Sequence, residues 1–123
     1  MITETYIENA IHSATPEELV RLMYEAALRA IGRAKRHLRA GDPKARSEEI
    51  SRAHAIITEL ALSLDHGAAP ELARNLAELY DYVGRRLLEA HTTQSDAPLE
   101  EATRLLSTLL EGWMHISRAA EAA

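Results

Sequence analysis

Residues 15–41 read TPEELVRLMYEAALRAIGRAKRHLRAG, and this stretch decides the fold class. Thr15 can cap a helix, Pro16 suits a first helical turn, and Glu18 completes a capping box with Thr15. Apolar residues then recur at helical spacing until Gly41, a residue type that commonly ends helices. The stretch therefore predicts one long helix that begins just after Thr15.

The same pattern of helix starts and stops recurs three more times along the chain. Asp42-Pro43 opens a second helix, Pro70 opens a third, and Asp96 can cap a fourth. Short connections make successive helices antiparallel neighbours, so the chain is predicted to be an all-α, antiparallel up-down four-helix bundle over residues 15–123. No β-branched or aromatic run resembles a strand. The predicted helices end at about Arg39, Leu64, His91 and Ala119.

Helices two and four each show a single apolar stripe, which predicts one buried face for each helix. We expect Trp113, near the end of the fourth stripe, to be a core residue rather than a platform for a ligand. The stripes are Ile50, Ala53, Ile57, Leu60 and Leu64 in helix two, and Leu99, Ala102, Leu106, Leu109, Trp113 and Ile116 in helix four.

Helices one and three have wider apolar arcs than one core contact needs. Each helix either touches two neighbours or keeps an apolar groove for a partner segment, by helix-in-groove recognition. In helix one the second stripe is Val20, Tyr24, Leu28, Ile31 and Leu38. In helix three the inward row is Leu72, Leu76, Leu79, Val83 and Leu87, and beside it lie Ala73, Ala77, Tyr80, Gly84 and Leu88.

Residues 1–14 precede the bundle and are predicted to form an N-terminal arm or short helix. Tyr6, Ile7 and Ile11 give this arm one apolar side. A segment of this length is too short to be a stable helix alone, so we expect it to need an apolar surface. The same stretch lacks the basic start and apolar run of a signal peptide.

Composition excludes several classes of function. The 123 residues carry a formal net charge of −5 and include no cysteine, which excludes disulfide frameworks, thiolate zinc sites and cysteine nucleophiles. Nucleic acid is not an expected partner of an acidic chain, and no apolar run is long enough for membrane insertion. One basic cluster is interpreted as a solvated face with helix-end cations favoured by the macrodipole. It comprises Arg29, Arg33, Lys35, Arg36, Arg39, Lys44 and Arg46.

No arrangement of residues predicts a cofactor or a metal site. There is no Gly-rich phosphate loop, the Glu-x-x-His motifs of di-iron bundles do not occur, and the six histidines have no ligand spacing on one helix face. Arg86 and His91 do show the Arg-x4-His spacing of some helical-bundle ribonucleases, in which arginine binds phosphate and histidine transfers protons. A ribonuclease or toxin–antitoxin-type module is therefore the alternative to a non-enzymatic bundle, and a generic dimerising bundle is a third possibility.

Five local motifs, in one order and at matching separations, connect nearly the whole chain to a known family. They are Tyr6-x-x-Asn9-x-Ile11-x-Ser13-Ala14-Thr15-Pro16-Glu17-x-Leu19, Leu22-Met23-Tyr24-Glu25-x-Ala27, Glu59-Leu60-x-x-Ser63-Leu64-Asp65, Ala73-x-Asn75-Leu76-x-x-Leu79-Tyr80-Asp81-Tyr82-x-x-Arg85-Arg86-Leu87-x-Glu89-Ala90 and Leu109-Leu110-Glu111-x-Trp113. The chain resembles the FliS family of flagellin export chaperones. It departs from the family's usual residues at Glu25-Ala26, Gly84 and His91.

This resemblance implies a non-enzymatic helical bundle of the bacterial cytosol. Its client would be the C-terminal segment of flagellin, which would wrap around the bundle in an extended, partly helical form. The arm would shield a groove while the client is absent, and the complex would be presented to a component of the flagellar export gate. The free protein could also form a homodimer. The predicted partner-binding residues are Tyr6, Ile7, Ile11, Val20, Tyr24, Leu28, Ile31, Ala73, Ala77, Tyr80, Gly84 and Leu88.

Overall fold

The computed structural model describes residues 15–122, and within this range the chain forms four helices and no strand. The predicted all-α bundle is therefore confirmed. The arm predicted for residues 1–14 lies outside the described residues. The helices are α1 (Pro16–Arg39), α2 (Pro43–Leu62), α3 (Pro70–Thr93) and α4 (Ala97–Ala122).

Side-chain caps and prolines determine where the helices begin. The Thr15 hydroxyl accepts a hydrogen bond from the Glu18 amide at 3.2 Å, and the Asp42 carboxylate accepts one from the Ala45 amide at 3.1 Å. The first turns of α1, α2 and α3 each contain a proline, which lacks an amide hydrogen where none could be satisfied within the helix. At the end of α3, Gln94 adopts the left-handed conformation with φ 50°, a common way to end a helix.

The helices form a ring in which α1 and α3 face each other across the core. Both α1 and α3 pack against α2 and against α4. On the diagonal between them, the hydroxyl oxygens of Tyr24 and Tyr80 lie 2.6 Å apart and both side chains are buried. Trp113 of α4 donates its indole N–H to the Glu17 carbonyl of α1 at 3.1 Å. The end of α4 therefore lies beside the start of α1, as the up-down topology requires.

Arg46 of α2 is fully buried, so its interpretation as a solvated cation was wrong. Its guanidinium donates to the carbonyls of Ala34, Ala90 and Ser95 at 3.0, 3.3 and 2.8 Å. It also donates to the carboxylate of Asp96 at 2.8 Å, so the predicted cap of α4 uses its side chain for an ion pair. These bonds compensate for the loss of water around a buried charge. Arg46 thereby joins α1, α2 and the connection between α3 and α4.

The core does not include Leu72, Trp113 or Ile116, which belong to the predicted apolar stripes. The side chains of Leu72 and Ile116 are 57% and 63% exposed, and Trp113 is only partly buried. All three lie at the end of the bundle where α1 begins. Helical periodicity identifies the face of a helix that points inward. A residue on that face is buried only where a neighbouring helix extends far enough along the bundle to cover it. The prediction that Trp113 is a core residue was therefore wrong.

Candidate partner-binding surface

Five of the predicted partner-binding residues are enclosed by the bundle in this structure. Tyr24, Ile31, Ala73 and Tyr80 are at most 5% exposed, and Gly84 is also buried. A β-carbon placed on Gly84 would lie 3.4 Å from Nε2 of His54 in α2. A β-carbon at that distance would make ordinary van der Waals contact, so Gly84 packs against α2 and does not line an open groove.

Four other predicted partner-binding residues reach the surface of α1 and α3. Val20, Leu28 and Ala77 are partly exposed, and the Leu88 side chain is 50% exposed. Leu88 lies one helical turn after Gly84, which places it along the edge of α3 that faces α2. Ala77, two turns before Gly84, lies on the same edge. Ala77 and Leu88 therefore lie along the seam where α2 and α3 meet.

Leu28, a partly exposed residue of α1, lies on the other side of the molecule. Arg33 of α1 donates to Glu49 of α2 at 3.0 Å and so marks the edge of α1 that faces α2. Leu28 precedes Arg33 by five residues, which turns it about 140° away from that edge and towards α4. A single partner segment could contact Leu28 and Leu88 together only by passing around the bundle.

The surface around Ala77 is charged as well as apolar. A shallow depression along α3 brings Ala77 together with Arg74, Glu78, Asp81 and Arg85. Asp81 and Arg85, four residues apart on α3, form an exposed ion pair at 3.1 Å. A partner that contacts Ala77 must therefore accommodate charges of both signs.

An apolar end, formed by Leu62, Leu72 and Ile116, was not recognised from the sequence. Their side chains are 74%, 57% and 63% exposed. Leu62 is the last residue of α2, Leu72 lies in the first turn of α3, and Ile116 lies in the final turns of α4. The up-down topology brings these helix ends to one end of the bundle, where Thr15 also lies. Apolar residues at the termini of predicted helices are the signal that could have identified this surface.

A polar cluster between α3 and α4 contains the arginine of the ribonuclease-like pattern. Glu101 accepts hydrogen bonds from the Tyr82 hydroxyl and from Nε of Arg86, the latter at 3.2 Å, and Arg86 also pairs with Glu89. The hydrogen bond with Tyr82 lowers the pKa of the Glu101 carboxyl and raises the pKa of the Tyr82 hydroxyl. Two carboxylates thus occupy the Arg86 guanidinium, while His91 is exposed. This arrangement disfavours phosphate binding by Arg86.

Neither a cluster of metal-ligating side chains nor a membrane-spanning helix occurs in the described part of the chain. Between residues 15 and 122, no group of three or more His, Cys, Asp or Glu side chains is placed to hold a metal ion. Over the same residues, none of the helices is both long and apolar enough to cross a membrane.

Comparison with known proteins places nearly the whole chain in one family. The family model described as flagellar protein FliS matches residues 2–120. The flagellar secretion chaperone FliS of Salmonella typhimurium is 40% identical over 112 residues, which cover 90% of this chain and 83% of the relative. The protein of that name from Escherichia coli is 32% identical over 108 residues, covering 87% and 79%. The one from Bacillus subtilis is 29% identical over 108 residues, covering 88% and 80%. The chain therefore belongs to the FliS family of flagellar secretion chaperones.

Proposed function

We propose that this protein is a chaperone of the bacterial cytosol that binds the C-terminal segment of flagellin. By covering that segment it prevents premature polymerisation, and it presents the bound flagellin to the flagellar export apparatus. The observation that carries this proposal is the distribution of exposed apolar side chains, which lie on two opposite seams and at the apolar end. Such a surface suits a long client segment that orders on binding. Holding this segment requires no catalysis.

The spacing of these side chains supports a long client rather than a short peptide. Leu72 and Leu88 are sixteen residues apart on α3, a distance of about 24 Å along the helix axis. Leu28 adds a contact on the opposite seam. A segment that reaches all three must be extended for part of its path, and it would bury apolar surface that otherwise faces water.

Co-expression with flagellin tests the proposal directly. We expect flagellin to co-elute with the chaperone in one-to-one stoichiometry during size-exclusion chromatography. Leu88→Asp should weaken co-elution because it places a charge on the α2–α3 seam. Asn75→Asp is the matched control, since Asn75 is exposed on α3 but lies outside the predicted surface. Equal loss in both variants, or no co-elution of the wild-type protein, would contradict the proposal.

The N-terminal arm belongs to the same proposal. We propose that Tyr6, Ile7 and Ile11 compete with the client for apolar surface of the bundle, which would reduce the apparent affinity for flagellin. Deleting residues 1–12 leaves Thr15 and Pro16 in place, so the bundle should still fold. Hydrogen exchange provides the measurement: residues 4–12 should lose protection when flagellin binds. Equal protection with and without flagellin would show that the arm does not move.

The ribonuclease alternative makes a different prediction in the same preparations. It requires RNA cleavage that depends on His91, and His91→Ala should abolish that cleavage. We expect no such activity, because Arg86 is engaged by Glu89 and Glu101. Cleavage that is lost in His91→Ala would favour the enzyme over the chaperone.

A further inference from the structure

Charge is divided very unevenly along this chain. Residues 29–46 contain seven Arg and Lys residues and one Asp, whereas the rest of the chain contains seven Arg and Lys residues and eighteen Asp and Glu residues. The segment therefore carries a formal charge of +6, and the remainder carries −11. An acidic protein thus has one strongly basic region.

The structure separates the cations of this region into two groups. Arg33 pairs with Glu49 at 3.0 Å, and the buried Arg46 pairs with Asp96 at 2.8 Å. The remaining cations form no ion pair with another residue of the described range 15–122. These cations are Arg29, Lys35, Arg36, Arg39 and Lys44, and all except the partly buried Lys35 are exposed.

Four of these cations define a basic face: Arg29, Arg36 and Arg39 on α1, together with Lys44 at the start of α2. Arg29 and Arg39 are ten residues apart, about 15 Å along the helix axis. Gly32 lies between them and adds no side chain. Nη1 of Arg36 lies 3.7 Å from the position of a β-carbon on Gly32, so this guanidinium extends back along the helix towards Arg29. The basic face therefore presents several guanidinium groups on one short stretch of surface.

Helix electrostatics explains only part of the basic face. Arg36 and Arg39 lie in the last turn of α1, where the macrodipole favours cations. Arg29 lies ten residues before the end of α1, beyond the reach of that effect. Lys44 lies in the first turn of α2, where the macrodipole disfavours a cation. These two positions add positive charge without a stabilising partner among the described residues.

We infer that the basic face is a docking surface for an acidic segment of a partner protein. Carboxylates spaced along about three helical turns match the extent of the face and can form charge-assisted hydrogen bonds with guanidinium groups. A nucleic acid fits less well, because its phosphates continue beyond the face and the rest of the chain carries a formal net charge of −11. The basic face does not include Leu28, Leu88 or the apolar end, so we expect it to serve a partner other than the apolar client.

Fluorescence anisotropy with a labelled Glu-rich helical peptide tests this inference. The wild-type protein should bind the peptide in a salt-dependent manner and should not bind the matched peptide with Gln in place of Glu. The triple variant Arg29→Glu/Arg36→Glu/Arg39→Glu should lower affinity at least about tenfold. The control Arg74→Glu/Arg104→Glu/Arg118→Glu makes the same change in net charge at exposed positions elsewhere, and its affinity should stay within about threefold of wild type.

Three outcomes would overturn the inference. The first is failure of the wild-type protein to bind the Glu-rich peptide. The second is an equal loss of affinity in both triple variants, which would indicate an effect of net charge alone. The third is tighter binding of a single-stranded oligonucleotide of the same charge, which would assign the face to nucleic acid. Circular dichroism should show that both triple variants keep the helical content of the wild type, because every substituted side chain is exposed.

Discussion

At the scale of single residues, Arg46 connects more parts of the fold than any other charged side chain described above. Replacing it with methionine should destabilise the protein by about 3 kcal/mol, because three carbonyls and the Asp96 carboxylate lose their donor. Urea unfolding followed by circular dichroism measures this change in the free energy of unfolding.

Arg39→Met provides the control for Arg46→Met. Arg39 is exposed and has no ion pair within residues 15–122, so its replacement should change the free energy of unfolding by less than about 0.5 kcal/mol. If the two variants lose similar stability, the network around Arg46 does not hold the α3–α4 connection in place.

The Tyr24 and Tyr80 hydroxyls form the second interaction that can be tested at this scale. Tyr24→Phe or Tyr80→Phe alone leaves a buried hydroxyl without its partner, and each should destabilise the protein by about 1–2 kcal/mol. The double variant removes both hydroxyls and should lose much less than the sum of the two single losses. Additive losses in this double-mutant cycle would contradict a direct interaction between the hydroxyls.

The same two tyrosines predict how stability changes at alkaline pH. Burial raises the pKa of the Tyr24 hydroxyl, with a further contribution from its hydrogen bond to Tyr80, and burial also raises the pKa of Tyr80. Above about pH 10 the unfolded chain releases these protons while the folded protein keeps them, so stability should fall as pH rises. Urea midpoints measured between pH 9 and 11 should fall more steeply for the wild type than for the Tyr24→Phe/Tyr80→Phe variant. If the urea midpoints of both proteins fall equally with pH, folding does not raise the pKa values of these hydroxyls.

At the scale of helices, Trp113 connects the end of α4 to the start of α1. Its indole N–H is bonded to the Glu17 carbonyl, so Trp113→Phe keeps an aromatic ring but loses this bond. We expect a loss of about 1 kcal/mol and faster hydrogen exchange in the first turn of α1 and the last turns of α4. The opposite end of the bundle, around Arg46, should exchange at an unchanged rate. Uniformly faster exchange would indicate that Trp113 stabilises the whole core instead.

How far each helix could be predicted depends on whether its determinants are local. Thr15 and Asp42 cap helices within three residues of their own position, so their roles follow from sequence spacing. Arg46 bonds residues that are 12 to 50 positions away, and no local pattern distinguishes it from an exposed arginine. Helical periodicity also places Leu72 on the inward face of α3, but at this end of the bundle the neighbouring helices do not cover it. Local rules therefore predicted the helices, and contacts between helices decided which side chains are exposed.

At the scale of the whole molecule, chemically different surfaces lie on different parts of one bundle. The apolar end lies where α1 begins, the exposed apolar side chains of α1 and α3 lie on opposite seams, and the basic face lies on α1 towards its C-terminus. Family membership and the four-helix topology followed from motifs spread over the chain. The candidate partner surface was predicted less completely, because five of its residues are enclosed and the apolar end depends on how helix ends meet in space.

We propose that this bundle recognises the C-terminal segment of flagellin, and calorimetric titration measures this binding. Purified protein is titrated with full-length flagellin and with flagellin that lacks its C-terminal segment. We predict one-to-one binding of the full-length protein, with the negative heat-capacity change that accompanies burial of apolar surface, and no binding of the truncated form. Equal affinity for both forms, or no binding of full-length flagellin, would contradict the claim.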